Sequence, residues 1–430
     1  MSSASCPALF ISAPGSGHGK TTITAAIARF HVEQGRTVKV FKSGPDFLDP
    51  MILERASGQP VYQLDLWMTG KTQCRQLIYQ AANEADLILV EGVMGLFDGN
   101  PCSADLAELL NIPVMAVIDC KGTAQTTAAI AYGLANFRKK LPFAGILANS
   151  TASARHEEMI TEGFSNNIKY LGSIPRKLNI SLPERHLGLV QANEVSNIDA
   201  RLSNAAQAIA MTKLAELPPS VTFHRPEIEP APKLLAHVRI GIASDAAFSF
   251  IYQANLDLLQ SMGATLIFFS PLNENSLPEV DSLFFPGGYP ENYIDSLQQN
   301  QSIKQSIKDH YQSGKPIYAE CGGMLYLLET LQDKRGNKGK MVGLLPGSAI
   351  MQNKIQGLGY QSVSLPGGIL KGHTFHHSLI NTQLSELTTG VRLYNTSPGE
   401  KVFLAKRLLA SYLHLYFPSN PKATAHLFLP

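Results

Sequence analysis

An apolar run, Ala8-Leu9-Phe10-Ile11-Ser12, passes directly into Ala13-Pro14-Gly15-Ser16-Gly17-His18-Gly19-Lys20-Thr21-Thr22 and then into a stretch with Ile23, Ile27 and Phe30 on one helical face. No other stretch restricts the fold so strongly. Strand, glycine loop, Gly-Lys-Thr and helix form an arrangement in which backbone N–H groups and a helix N-terminus hold phosphate oxygens. Gly15, Gly17 and Gly19 keep the loop open to close phosphate approach, Lys20 reaches the terminal phosphates and the Thr21 hydroxyl can bind Mg²⁺. The general motif asks for glycine where this chain has Pro14.

The same pattern repeats downstream. Val38-Lys39-Val40-Phe41-Lys42 reads as a second strand, ending in Ser43-Gly44-Pro45-Asp46-Phe47-Leu48-Asp49-Pro50. Carboxylates at the C-terminal end of a parallel strand face the ligand crevice. Asp46 is therefore either an Mg²⁺ ligand or a turn aspartate beside Pro45. Leu87-Ile88-Leu89-Val90-Glu91 is an all-apolar run ending in an acid, as in a strand that presents a carboxylate to Mg²⁺. Asp98, in the glycine-punctuated loop that follows, reads as a substrate- or metal-loop acid, because a lone buried carboxylate is costly. With further βα units through Asn149, the N-terminal half is expected to be a doubly wound parallel sheet.

At 430 residues the chain exceeds one ordinary domain. Five prolines between Pro218 and Pro232, with no hydrophobic period, mark a stiff linker. The expected division is 1–215, a linker over 216–235, and 236–430. A formal net charge of +2 gives no footprint for nucleic acid or an anionic membrane. Five scattered cysteines, without a Cys-x-x-Cys, argue against a disulfide framework or zinc knuckle and for a reducing compartment. The N-terminus lacks a basic leader and no apolar run is long enough to span a bilayer, so a cytoplasmic protein is expected.

In the second half, Pro316-Ile317-Tyr318-Ala319-Glu320-Cys321-Gly322-Gly323 runs a strand into a tight turn and a helix. That is either a nucleophile elbow, with the thiol pKa lowered by the helix N-terminus, or a buried cysteine that ends a strand. Ser282-Leu283-Phe284-Phe285 delivers Pro286-Gly287-Gly288, whose N–H groups can serve an oxyanion hole. Asp245-Ala246-Ala247-Phe248 is expected to lead into a helix carrying Phe248, Tyr252 and Asn255 one turn apart. His414 lies among apolar residues, either as a core histidine or as the base for Cys321. The histidines of Gly372-His373-Thr374-Phe375-His376-His377-Ser378 lack an obvious acidic or cysteine companion for a metal.

One half thus offers ATP and Mg²⁺ chemistry and the other a thiol with a base. Together they suggest a glutamine-dependent amide ligase. The runs Phe41–Pro50, Gln63–Met68, Val90–Gly99, Pro286–Glu291, Ala319–Gly323, Gly372–Ser378 and Ser411–His414, in this order, resemble the cobyrinic acid a,c-diamide synthase family. The resemblance implies an ATP domain like a P-loop NTPase of the dethiobiotin-synthetase branch, a branch that the Pro14 loop fits. A class I glutaminase (flavodoxin-like) domain would follow. It implies Cys321 as nucleophile, His414 as base, and an oxyanion hole at Gly288 and Gly322. Gly15, Gly17, Gly19, Lys20, Thr21, Thr22 and Asn149 would bind ATP, with Mg²⁺ on Thr21, Asp46 and Glu91. Asp46, Leu48, Glu91 and Asp98 would approach the reacting carboxylate. The implied substrates are cobyrinic acid, L-glutamine and ATP, and the implied assembly a homodimer or monomer. One departure stands out: the acid usual two residues after the histidine is Tyr416 here.

Two rival readings remain. The ring could be hydrogenobyrinic acid or a nickel sirohydrochlorin, which present the same acetates. Alternatively the chain is a partition-type ATPase switch whose second domain is an inactive glutaminase fold, a reading opposed by the presence of both Cys321 and His414.

Overall fold

Apolar runs that end in glycine loops or acids become the inner strands of a parallel sheet. The computed structural model describes residues 2–164, 168–176, 184–185, 188–189, 194–195 and 197–430. The chain divides into two units, Met1–Ile228 and Glu229–Pro430.

The first unit alternates strand and helix: β1 (Ser3–Ser12), α1 (Lys20–Glu33), β2 (Val38–Ser43), α2 (Leu48–Ser57), β3 (Tyr62–Leu64), α3 (Lys71–Glu84), β4 (Leu87–Glu91), α4 (Ser103–Leu110), β5 (Val114–Asp119), α5 (Thr126–Asn136), β6 (Phe143–Thr151), α6 (Ala154–Glu162), β7 (Tyr170–Pro175) and α7 (Ile198–Ile209). The sheet order is β3-β2-β4-β1-β5-β6-β7, all parallel, with helices on both faces. Alternate residues of one strand serve opposite cores. Ala8 and Phe10 pack with Ile78 and Leu106, whereas Leu9 and Ile11 pack with Ile23, Ile52 and Leu202. This is the doubly wound sheet expected from the sequence.

The proline-rich stretch is more than a connector. Ser220–His224 forms β8, which runs antiparallel to the first half of β1, pairing Ser3 with His224 through Pro7 with Ser220. Val221 and Phe223 turn inward while their neighbours are exposed, a period-2 alternation between the prolines. The chain therefore leaves the first unit only at Ile228.

The second unit begins with parallel strands β9 (Arg239–Ala243), β10 (Thr265–Phe269), β11 (Ser282–Phe285) and β12 (Ile317–Glu320). They are accompanied by helices α8 (Gln253–Ser261), α9 (Ile294–Gln299), α10 (Gln301–Gln312) and α11 (Gly322–Leu327). The later strands are β13 (Gly357–Leu365), β14 (Gly368–His376), β15 (Glu386–Arg392), β16 (Pro398–Ala405), β17 (Leu408–Ser411) and β18 (His414–Tyr416), and α12 (Pro421–Phe428) closes the chain. The sheet order is β10-β9-β11-β12-β17-β16-β15-β13-β14-β18. It is parallel from β10 to β17 and antiparallel beyond, so this sheet is mixed. The short turn Pro366-Gly367 between β13 and β14 has room for a hairpin and none for a crossover helix. The helix expected from Phe248 starts at Gln253 instead, because Phe250 N–H is taken by Gly287 O (3.1 Å) and Tyr252 is extended. Phe248 and Tyr252 remain buried, as loop residues.

The antiparallel half positions one residue of particular interest. β14 and β18 pair His373 with His414, and a Cβ on Gly372 would come within 2.1 Å of His414 O. Gly372→Ala is expected to push β18 away from β14 and cost about 1–3 kcal/mol, lowering the unfolding midpoint of this unit by about 3–10 °C. Differential scanning calorimetry measures it.

Candidate functional sites in the two units

In the first unit, β1, β2 and β4 end side by side. Register places Lys42 opposite Glu91, and Ile11 opposite Glu91 on its other side. Gly17 (φ 80°) and Gly19 (φ 88°) adopt left-handed backbone, which lets the loop turn into α1 without Cβ strain. A Cβ on Gly19 would lie 2.4 Å from Asn149 Nδ2, which donates to His18 O at 3.0 Å. Asn149, at the end of β6, thus braces the loop. Lys20 donates to Gly15 O (3.0 Å) and Met94 O (2.7 Å), spanning the loop and the segment after β4. Burial, then Lys42, lowers the Lys20 pKa. Gly15 and Gly17 lie in the same loop and Thr22 in the first turn of α1.

A charged cluster sits beneath this loop. Thr21 Oγ1 donates to Glu91 Oε1 at 2.8 Å. Lys42 Nζ lies 2.6 Å from Glu91 Oε1, 2.5 Å from Asp49 Oδ2 and 3.5 Å from Asp46 Oδ2. Lys42 is 2% exposed and Glu91 0%. Burial alone would lower the Lys42 pKa, but Asp49, Glu91 and Asp46 hold it well above the usual lysine value. Burial raises Glu91 against the pull of Lys42. Burial and the adjacent Asp49 push Asp46 up to about 7, whereas Lys42 overrides burial to lower Asp49. Asp46 Oδ1 also accepts from Leu48 N–H (2.9 Å), so Asp46 and Leu48 share one turn at the start of α2. Asp98 Oδ2 accepts from Gly95 N–H (3.0 Å), and Leu96 N–H donates to Ala13 O (2.9 Å), fastening the loop after β4 to the end of β1.

Glu91 Oε2 is buried with no hydrogen-bond partner among the described residues. An orphaned carboxylate oxygen beside a threonine hydroxyl and Asp46 is a hard-oxygen donor set that suits a cation such as Mg²⁺. Among the described residues no group of three or more His, Cys, Asp or Glu is arranged to hold a metal unaided. Lys42 and Asp49 had no role in the sequence reading. The signal was there: a lysine ending an apolar strand must find carboxylates to be buried.

In the second unit, β11, β12 and the segment joining β17 to β18 converge on Cys321. Its N–H donates to Ser411 O at 2.8 Å and its φ of 42° is strained for a non-glycine residue, as an elbow between strand and helix requires. A Cβ on Gly322 would meet Gly288 O at 2.8 Å and Gly288 N at 2.9 Å, and one on Gly288 would meet Ala247 O at 2.1 Å. Bare backbone at both positions is what brings these two N–H groups into one place. A Cβ on Gly287 would lie 2.3 Å from His414 Cε1, so this glycine makes room for the imidazole. Of the expected residues, Gly288 and Gly322 therefore lie against each other beside Cys321, and His414 packs on the neighbouring Gly287.

The thiol departs from expectation. Burial, then the Glu291 carboxylate, pushes the Cys321 pKa up rather than down. The helix behind it, α11, has six residues, and its N-terminus does not offset desolvation. Glu291 is itself pushed up to about 7 by burial. His414 stacks on His373 with ring centroids 5.0 Å apart, and Tyr252 OH lies 3.0 Å from His373 Nδ1. Burial, then His414, holds the His373 pKa well below its usual value, so His373 is neutral. His376 lies against Tyr412 and 3.2 Å from Glu400 Oε1. The histidine cluster thus packs behind and beside His414.

The family relations agree with this division. Residues 9–190 match the CobQ/CobB/MinD/ParA nucleotide binding domain, and residues 239–422 match the CobB/CobQ-like glutamine amidotransferase domain. The chain is 55% identical to a hydrogenobyrinate a,c-diamide synthase of Stutzerimonas stutzeri, over 100% of both chains. It is 54% identical to one of Pseudomonas aeruginosa, over 100% of this chain and 99% of that one. A cobyrinate a,c-diamide synthase of Herminiimonas arsenicoxydans is 45% identical, over 98% of this chain and 96% of its own. The chain belongs to the cobyrinate and hydrogenobyrinate a,c-diamide synthase family.

Two outcomes are expected from this geometry. Lys42→Met leaves three carboxylates crowded without their cation and should cost about 3–5 kcal/mol by denaturant titration. The loss should shrink as pH falls, because Asp46 and Glu91, both raised, then take protons. Glu291→Gln removes a negative charge near the thiol and should speed iodoacetamide alkylation of Cys321 at pH 8 about threefold to tenfold.

Proposed function

We propose that this protein converts the a and c acetate carboxylates of a corrinoid acid to amides, drawing nitrogen from glutamine and energy from ATP. The observation that carries the proposal is the presence, in one chain, of a charged phosphate-loop cluster and of a thiol flanked by bare glycine N–H groups and an imidazole. The full-length identity to the diamide synthases supports it.

In the second unit, Cys321 Sγ attacks the side-chain carboxamide carbon of glutamine as His414 takes the thiol proton. The raised thiol pKa makes this proton transfer necessary, since little thiolate exists in advance. The N–H groups of Gly288 and Gly322 hold the oxyanion. Collapse breaks the C–N bond, ammonia leaves with the proton from His414, and water hydrolyses the thioester to glutamate.

In the first unit, a corrinoid carboxylate oxygen attacks the γ-phosphorus of ATP and ADP leaves. Ammonia then attacks the acyl carbon, the bond from that carbon to the bridging oxygen breaks, phosphate leaves with that oxygen, and the nitrogen loses a proton to give the amide. Gly15, Gly17, Gly19, Lys20 and Thr22 hold the phosphates; Asn149 supports the loop that does so. Thr21, Glu91 and Asp46 would hold Mg²⁺, which supplies positive charge to the phosphates. Lys42 lowers the Asp49 pKa and draws that of Glu91 down against burial, and Asp46, Leu48 and Asp98 shape the loops that meet the carboxylate. Two such turnovers use two ATP and two glutamines.

The gradient of identity, 55% and 54% against 45%, favours metal-free hydrogenobyrinic acid over cobyrinic acid as the ring. The five cysteines are unpaired, which suits a reducing cytoplasm, and no described helix is long and apolar enough to cross a membrane.

Mass spectrometry of each acid incubated with protein, glutamine and Mg-ATP should show two successive carboxylate-to-amide steps, faster on hydrogenobyrinic acid. ATP hydrolysis with no mass change on either acid would contradict the ligase reading. Cys321→Ala should lose glutamine use and keep amidation from free ammonium.

A further inference from the structure

Class I glutaminases orient their histidine with an acid two residues further on, and this chain has Tyr416 there. A carboxylate nevertheless reaches the imidazole from another strand. Glu320, the last residue of β12 and the neighbour of Cys321, places Oε2 3.6 Å from His414 Nδ1. Both side chains are buried, at 2% exposure for His414 and 3% for Glu320. Glu320 Oε1 accepts from Tyr318 O–H (2.8 Å) and from Leu415 N–H (2.8 Å). The carboxylate is thus fixed to the residue after His414 and directs its second oxygen at the ring.

We infer that Glu320 is the positioning carboxylate for His414, replacing the acid absent at Tyr416. The inference rests on the glutaminase reading above. At 3.6 Å the contact is an ion-pair separation that a small ring movement would close to a hydrogen bond, as such contacts do when substrate binds. The consequence is tautomeric. A proton on Nδ1 facing Glu320 leaves Nε2 as the acceptor for the Cys321 proton. The imidazolium formed in that transfer is stabilised by the same carboxylate. Among the described groups at the ring, His373 is held neutral, Phe250 is apolar, and Gly287 contributes bare backbone. The placement also explains why an acid can directly precede the nucleophile. It lies on the strand as that strand passes His414, so one turn delivers both the thiol and the partner of its base.

Charge and shape make opposite predictions for two variants. Glu320→Gln keeps an oxygen to accept from Leu415 and Tyr318 but loses the charge. Glu320→Asp keeps the charge but shortens the side chain. For a positioning carboxylate, Glu320→Gln should lower kcat for glutamine hydrolysis about 10²–10⁴-fold with KM little altered. Glu320→Asp should then retain more kcat than Glu320→Gln, and the acid limb of the Glu320→Gln pH–rate profile should move to lower pH. Equal or greater kcat in Glu320→Gln than in Glu320→Asp would overturn the assignment. Nitrogen-15 NMR of the wild-type protein needs no variant to fold. It should find His414 protonated at Nδ1 above its pKa, and an Nε2–H tautomer there would also overturn it. If wild-type protein hydrolyses no glutamine while the Nδ1–H tautomer is present, the glutaminase reading fails and the Glu320–His414 contact stands.

Discussion

An ammonium buried between three carboxylates is the interaction on which the first unit depends. Lys42 and Glu91 are partners on adjacent parallel strands, so the sheet cannot form without bringing the two charges together out of water. Asp49 and Asp46 complete the surround from the start of α2. Such a cluster is a poor way to gain stability, because desolvation offsets most of the attraction. Its position accounts for it. It lies where β1, β2 and β4 end, by the glycine loop, and its lysine opposes the burial that would otherwise neutralise the carboxylates. One oxygen of Glu91 has no hydrogen-bond partner among the described residues.

The second unit solves the reverse problem. Its Cys321 thiol is neutral at rest, since burial and Glu291 oppose the thiolate. Reactivity must then come from a well-placed base rather than from a standing charge. Three glycines, at 287, 288 and 322, permit that placement by removing side chains that would collide with His414 or with one another. Glu320 and His373 hold the imidazole from two sides. A buried neutral thiol is less open to oxidation and alkylation than an exposed thiolate.

Much of this was legible in the residues. The strand–loop–helix at Ala8–Phe30, the acid ending Leu87–Glu91 and the glycines after Phe285 and Cys321 fall where local pattern places them, because parallel strands send their loops to one edge. Pairings distant in sequence were not legible. Nothing in Ser220–His224 announces a partner at Ser3–Pro7, and its prolines point to a linker. The antiparallel half of the second sheet was missed for the same reason. Glu320 was in plain view beside Cys321, yet its meaning depends on β12 passing β18, a tertiary fact. The thiol was misjudged because the sequence displays a helix N-terminus but hides the desolvation that outweighs it.

The central claim is that nitrogen freed at Cys321 becomes the amide on the corrinoid. The direct measurement supplies glutamine labelled with nitrogen-15 at the side-chain amide, together with unlabelled ammonium, Mg-ATP and hydrogenobyrinic acid. Nitrogen-15 in both new amides, abolished in Cys321→Ala while unlabelled amides still form, is the predicted result. Amides carrying unlabelled nitrogen alone from the wild-type protein would contradict the account.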